Sequence, residues 1–434
     1  MEDLVIRGGF GRYSGGRPNV FISNAFSNDG FRISAFDTGR GNTLNGADPS
    51  SIPQQALDAI AASEQGGSNS NIDAIDPNFK IASTWQYSIA ADYIADFSAV
   101  GLGEDWHLSA ELLYKDIERD LIWQDLSREL DTSKGNNGLT VDGRPIYRRT
   151  IADRRSRDIL LTNAEGGHST IATFTLAKKW ENGISANFSY ANSSINDRLS
   201  ATGTSTNTAY EFNPVIDPNN PEIGTSSFET KHRLTLNLSY NTELLDGYNT
   251  GLHMFFERKS ARPYSWILDK NFRSDEQLNG DSSLDNAFLA YIPTSSSDGA
   301  VDFENGLSYN EIIDVLEGVG LSSKGGYLDK NSSRGPWTTT MDLRLEQEIP
   351  GFLEGHKGIF YVDIKNALAI FDKSAARVYR NDFGTSTADL FTYEINDAGQ
   401  YVLGDAGADA SDIPVSFQDR ASTWVAKIGV KYKF

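Results

Sequence analysis

The final twelve residues, TWVAKIGVKYKF, alternate strictly between two kinds of side chain. On a two-residue period Trp424, Ala426, Ile428, Val430, Tyr432 and Phe434 share one side, and Val425, Lys427, Gly429, Lys431 and Lys433 share the other. Chain ends usually fray and are polar. A long alternating strand that closes on Phe434 reads instead as an anchored end.

The same pattern recurs along the chain. Ile81, Trp85, Tyr87, Ile89 and Tyr93 alternate with polar residues, as do Trp106, Leu108, Ala110, Leu112 and Tyr114. So do Ile184, Ala186, Phe188 and Tyr190. In the stretch KHRLTLNLSYN, Leu234, Leu236, Leu238 and Tyr240 oppose Lys231, Arg233, Thr235, Asn237 and Ser239. In TTTMDLRLEQEI, Met341, Leu343, Leu345 and Ile349 oppose Asp342, Arg344, Glu346 and Glu348. Less regular runs at Leu4–Tyr13, Thr170–Trp180, Tyr248–Phe256 and Gly358–Leu368 bring the expected total to ten strands.

The connections between these runs alternate long and short. Long segments at about 14–78, 119–168, 197–227, 262–336 and 368–419 are separated by the short turns DFSAVGLGED, WENG, NTELLDG and PGFLEGHKG. Transmembrane barrels of the outer-membrane type have short periplasmic turns and longer extracellular loops, which yields this alternation. The expected fold is therefore all-β: an antiparallel transmembrane β-barrel portion with long extracellular loops that carry short helices.

Composition agrees with that reading and removes others. The mean hydropathy is −0.42, and no apolar run approaches the roughly 18 residues of a membrane-spanning helix; half-polar barrel strands keep hydropathy low. There is no cysteine, so neither disulfides nor thiolate metal sites form. The net charge of −20 argues against nucleic acid as a partner. Residues 262–336 hold 12 acidic against 6 basic side chains and residues 368–419 hold 9 against 3, so most of the negative charge belongs to loops. The start MEDLVIRGGF has no basic region, apolar core or cleavage site of a signal peptide.

Aromatic residues mark the two expected membrane boundaries. Trp106, Trp180, Tyr240, Tyr248, Tyr432 and Phe434 all lie beside short turns, while Trp85, Trp337 and Trp424 lie near the long connections. Aromatic girdles at the two interfaces have this distribution, although aromatics also favour strands in general. Two loop segments read as helices: SSIPQQALDAIAAS, with Pro53 in the first turn, and SYNEIIDVLEGVG, capped by Ser308 with Glu311 three residues on.

The blocks DLVIRGGFGRYSGGRPNVFISNAFSNDG, ARPYSW, AYIP, NSSRGPWTTTMDLRLEQEI and GHKGIFYVDIKNAL, with the terminal aromatic strand, resemble the C-terminal half of Oar-like TonB-dependent outer-membrane receptors. The matching motifs include Arg7-Gly8-Gly9, Gly16-Arg17-Pro18, Ser23-Asn24, Arg262-Pro263-Tyr264-Ser265 and Pro336-Trp337. Ala261 departs from the glycine expected before that Arg-Pro pair. The resemblance implies a cell outer membrane protein of a Gram-negative bacterium, a receptor that moves a bulky, unspecified substrate. It implies that residues 1–434 are the C-terminal part of a larger plugged barrel, with signal peptide, carboxypeptidase-regulatory-like domain, TonB box and plug absent. Plugged transporters have about 22 strands, so ten would be slightly under half. The implied partners are outer-membrane lipid and lipopolysaccharide, the barrel assembly machinery, and the TonB complex through the missing N-terminal part. The terminal strand with Val430, Tyr432 and Phe434 would serve as the assembly signal.

On the residues themselves, Lys231, Arg233, Asp342, Arg344, Glu346 and Glu348 are expected to face the lumen, where a broad wet interior accommodates charge better than the packed interior of a narrow barrel. Ordinary cross-strand ion pairing is the plainer account of the same residues. The five histidines form no HExxH motif and no close Ser/His/Asp set, so no catalysis is expected. In DKNFRSDEQLNGDSSLDN, Asp269 together with Asp275, Asn279, Asp281 and Asp285 offers the oxygen ligands calcium takes, but the EF-hand spacing fails and a solvated acidic loop is the ordinary reading. No other cofactor is expected. RGGFGRYSGGRP lacks the phosphate-loop pattern, and no helix is expected after it. Two alternatives to transport stay open: a surface adhesin or structural barrel without transport activity, and a self-sufficient ten-stranded porin.

Overall fold

The computed structural model describes residues 4–15, 18–29, 50–54, 57–58, 72–150, 157–200, 205–269, 278–280, 287–322, 324–381, 387–408 and 413–434. Ten long strands run through them: β1 (Leu4–Ser14), β2 (Ser83–Ala95), β3 (Trp106–Asp125), β4 (His168–Lys179), β5 (Ile184–Asp197), β6 (His232–Leu245), β7 (Tyr248–Lys259), β8 (Thr338–Pro350), β9 (Lys357–Lys365) and β10 (Val425–Lys433). They pair antiparallel in chain order from β1 to β10. Among the described residues β1 pairs only with β2, and β10 only with β9, so the sheet is an open section of barrel wall.

Period two fixes the faces. Leu236 sits between Phe188 and Phe256, and Leu238 between Ala186 and Met254. The apolar side continues through Leu343 and Leu345 to Ile364 and Val362, and ends on Ala426 and Ile428. This face stays largely uncovered by protein: Leu238, Leu252, Leu345, Ile428 and Val430 are exposed. Leu234, Leu236 and Leu238 are therefore not packed inside a closed protein core. A one-residue slip would turn an entire strand's apolar set over. The β6–β7 hairpin depends on a bulge between Glu243 and Leu245, without which Leu238 would no longer face Met254.

Several expected boundaries move. β3 continues to Asp125, six residues beyond the start of the expected loop, because its outer end pairs with a further strand, Asp158–Ala164. β9 stops at Lys365, and Leu368–Phe371 turns into a short helix. A helix, α1 (Pro18–Ser27), follows the glycine-rich segment where none is expected, with Pro18 supplying its first turn. The Tyr309–Gly318 helix forms as expected, with Ser308 and Glu311 making a reciprocal capping box. Of the segment around Pro53, Leu57 N donates to Pro53 O at 3.2 Å; much of the rest lies outside the described residues.

The long connections do not remain irregular. Pro263–Leu268, Ser333–Arg334, Thr387–Ile395 and Tyr401–Asp405 make a separate four-stranded sheet, with Pro263–Leu268 and Thr387–Ile395 running parallel. Trp266, Phe288, Leu390, Phe391, Tyr401 and Leu403 pack beneath it with Ile312 and Leu316 of the Tyr309–Gly318 helix. A second cluster joins Phe21 of α1 to Trp123, Ile159, Leu161 and Tyr210. The buried core of this protein thus lies largely in an outer cap, while the barrel wall is one sheet thick.

Candidate functional site

The polar face of β6 to β10 carries separate clusters of paired charges. Arg233 and Lys259 both hold Glu257, at 2.8 and 2.7 Å. Arg344 bridges Glu346 at 3.0 Å and Asp363 at 3.1 Å. Lys365 reaches Asp342 at 2.5 Å. Glu348 takes Lys357 at 2.8 Å, Lys433 at 3.7 Å and the Asn249 backbone N–H at 3.2 Å. Alternation places all these side chains on the side opposite Leu236 and Leu345. Lys231 lies just before β6 and is exposed, its carbonyl accepting from Ser193 N at 3.0 Å.

One glycine is required here by close approach. The Tyr361 ring lies across Gly429 on the neighbouring strand, where a Cβ would strike it, and the ring carries Arg344 at 4.5 Å and Lys431 at 5.7 Å. Arg344 thus lies over the Tyr361 ring while it bonds both Glu346 and Asp363. Exposed pairs of this kind contribute about 0–1 kcal/mol each. Their physical effect is to fix charged donors and acceptors on the polar face of the sheet.

The structure brings together one pair that the sequence leaves far apart. His253 Nδ1 and Ser239 Oγ are 2.9 Å apart across the β6–β7 ladder, and His253 Nε2 lies 3.7 Å from Glu346. The Asp246-Gly247 turn could have indicated their approach, since it folds β6 onto β7; the bulge then sets the register. The arrangement does not build a nucleophile. Glu346 is engaged by Arg344, 3.7 Å is too long to orient the imidazole, and the surrounding N–H groups are consumed by two-sided ladders, which leaves no oxyanion donors.

Both aromatic levels have distinct anchoring. At the short-turn end the Trp106 and Trp180 rings meet edge to face at 5.6 Å. Lys178 reaches under both rings to the Leu102 and Glu104 carbonyls. Tyr432 stacks on Phe352 at 5.7 Å, and its hydroxyl accepts from the Phe352 N–H at 3.0 Å and contacts His356 Nδ1 at 3.0 Å. Tyr248 lies 5.5 Å from Lys357, while Tyr240 and Phe434 are exposed. Trp337 and Trp424 are exposed at the long-connection end. Val430 belongs to the apolar face of β10, opposite Phe360.

The cap is tied to the wall by buried ion pairs. Lys330 Nζ contacts Asp197 Oδ1 at 3.0 Å and donates to the Arg198 carbonyl at 2.7 Å, pinning the β7–β8 connection onto the end of β5. Arg334 pairs with Glu229. Burial pushes the nearby Asp120 carboxyl up to about 6, and the charge of Asp197 adds to that push. Arg144, 1% exposed, lies over the Tyr327 ring at 4.6 Å and donates to the Leu289 carbonyl at 2.5 Å. The sequence does contain a signal for this cap: PYSWIL is a short apolar run of the kind that forms a fully buried strand, and ADLFTYEI is a second short run with Leu390, Phe391, Tyr393 and Ile395 buried.

Of the calcium candidates, Asp275, Asp281 and Asp285 lie outside the described residues. Asn279 is fully buried and Asp269 donates its backbone N–H to Phe391 O at 2.7 Å. Among the described residues no group of three or more His, Asp or Glu side chains is placed to hold a metal ion.

The chain matches the family model of the outer membrane beta barrel domain over residues 1–255, from the first residues through most of β7. The solved structure of the outer membrane transporter YddB from Escherichia coli aligns over 100% of this chain and 39% of its own length, with 13% identity and a TM-score of 0.42. The chain thus spans about two fifths of that transporter. No curated protein sequence matches it. With an apolar face exposed along ten paired strands and a family model covering more than half of its residues, the chain belongs to the outer membrane β-barrel domain family and resides in the outer membrane.

Proposed function

We propose that the chain forms the C-terminal wall of an Oar-like TonB-dependent receptor that moves a bulky substrate through a wide, plugged barrel. The carrying observation is the pair of open sheet edges on β1 and β10. Hydrocarbon cannot satisfy unpaired backbone N–H and C=O groups, so in the membrane both edges meet other strands of the same wall. Lys231, Arg233, Asp342, Arg344, Glu346 and Glu348 are then lumen-facing, in a water-filled space broad enough to keep their charges hydrated. The sequence blocks shared with that receptor family support the same reading. Opening of a plug driven by the TonB complex would supply the energy, and a loop calcium remains a candidate for the acidic stretch around Asn279.

The absence of cysteine permits a clean test. Cysteine pairs, one at a polar-face position of β1 (Val5, Arg7, Gly9) and one at a polar-face position of β10 (Lys427, Lys431, Lys433), are oxidised in cells. A wide barrel gives no intramolecular β1–β10 cross-link. Efficient cross-linking at any register would show closure on ten strands and leave the porin reading. A second reading, a surface adhesin, is favoured by the packed outer cap; it requires that collapse of the proton-motive force leave all uptake through the protein unchanged.

A further inference from the structure

A cation stands at the outer end of the face that meets lipid. Arg258 lies one residue from the outer end of β7, on the side shared by Met254 and Phe256. It is exposed, and among the described residues no carboxylate lies within ion-pair reach. An arginine on the lipid face is costly at the bilayer centre and tolerated near the interface. Its guanidinium lies over the Trp337 ring at 5.4 Å. Trp337 stacks on His232 at 5.7 Å and 11°, and His232 on Tyr190 at 6.1 Å and 14°. The imidazole is fixed by Tyr190 Oη at 2.8 Å and Asn192 Nδ2 at 3.1 Å, both at Nδ1.

Tyr190 also walls a shallow apolar groove of about 570 Å³ on the same face. The groove exists because Ala91, Ala110 and Ala172 sit between the larger Ile6, Leu112 and Phe174. Register connects the two features in a single row: Arg258, Leu234, Tyr190, Phe174, Ala110, Ala91 and Ile6 are successive cross-strand partners. Arg258 is near the outer end of its strand and Ile6 near the inner start of β1, so the row slants from the outer rim toward the inner side of the membrane. With strands roughly 4.8 Å apart, Tyr190 is about 10 Å and Phe174 about 14 Å from Arg258.

We propose that this row binds a phosphorylated glycolipid of the outer leaflet, its phosphate at Arg258 beside the Trp337–His232 stack and one acyl chain in the groove beyond Tyr190. Charge complementarity selects the headgroup: an exposed guanidinium with no counterion among the described residues, held by aromatic stacking at the level of the long loops. The slope of the row selects a molecule with a chain that descends from that headgroup.

The test is native mass spectrometry of the protein after transfer through nanodiscs of phosphatidylcholine containing diphosphoryl lipid A. Folding of each variant is checked by heat-modifiable migration. The native protein is expected to retain one lipid A. Arg258→Gln reduces retention about tenfold, as loss of a charge-assisted contact does; Arg258→Lys keeps most of it. Ala110→Leu, which fills the groove and leaves the charge, reduces retention as well, and Ala172→Leu serves if that variant does not fold. Unchanged retention in both Arg258→Gln and the groove variant overturns the site. Equal retention of dephosphorylated lipid A overturns the phosphate contact, and displacement by equimolar phosphatidylglycerol overturns the choice of glycolipid.

Discussion

Leu236 provides the sharpest test of what the apolar face meets. It lies four residues from His232 at the outer end of β6 and four from Tyr240 at the inner aromatic level. At a rise of about 3.4 Å per residue and a strand tilt of about 40°, each interval covers roughly 10 Å of depth. Leu236 therefore sits near the middle of an apolar band about 25 Å tall. Its partners Phe188 and Phe256 leave it half-buried, so lipid completes its surroundings. Leu236→Arg is expected to cost about 2–4 kcal/mol, the range for a basic side chain at the midplane. Leu234→Arg, two residues nearer the rim, should cost about 1 kcal/mol, since the guanidinium can reach the interface. Asn237→Arg, adjacent in sequence but on the polar face, should change stability by less than about 0.5 kcal/mol. The assay is urea-dependent folding into phosphatidylcholine vesicles, followed by tryptophan fluorescence. Equal costs at 236 and 234 would remove the depth dependence and indicate burial against protein. A cost at Asn237 matching that at Leu236 would refute the assignment of faces altogether.

Two further outcomes concern the outer cap. Asp120→Asn is expected to remove a pH dependence: the native carboxyl binds its proton up to about 6 against an ordinary 3.8, so the native form holds more protons in that window. Cap stability is then greatest below about 4 and falls as pH rises through 6, by up to about 3 kcal/mol; the variant should be flat, as read by protease sensitivity of the cap at pH 4 and pH 7.5. Identical profiles would sink this account. Trp266→Ala should cost the cap about 3–5 kcal/mol by opening a cavity beneath its four-stranded sheet, which exposes residues 260–337 to limited proteolysis while β1 to β10 stay protected in detergent; simultaneous loss of the barrel would show that wall and cap fold as one unit.

The ten wall strands were legible because a bilayer imposes a simple rule. Every second side chain must be apolar, and the period survives in the sequence wherever lipid supplies the missing packing. The long–short rhythm of connections was legible for a related reason, since crossing strands must return on alternating sides. That Trp106, Trp180 and Tyr432 lie beside the short turns follows from position alone. The cap was not read in this way. Pro263–Leu268 is buried on both faces and shows no alternation, and in Thr387–Ile395 the adjacent Leu390 and Phe391 are both buried and break the period, so PYSWIL and ADLFTYEI look like ordinary apolar runs within acidic loops.

Sequence by itself determined the strand count, the order of pairing and the assignment of apolar and polar faces, because each depends on local period and on turn length. Tertiary structure decided which charges meet, that Ser239 faces His253, that Arg258 and the groove beyond Tyr190 share one slanting row, and that three distant loops share one core. Those outcomes depend on register between strands, and a single bulge near Leu245 shifts register by a residue without any mark in the hydrophobic pattern.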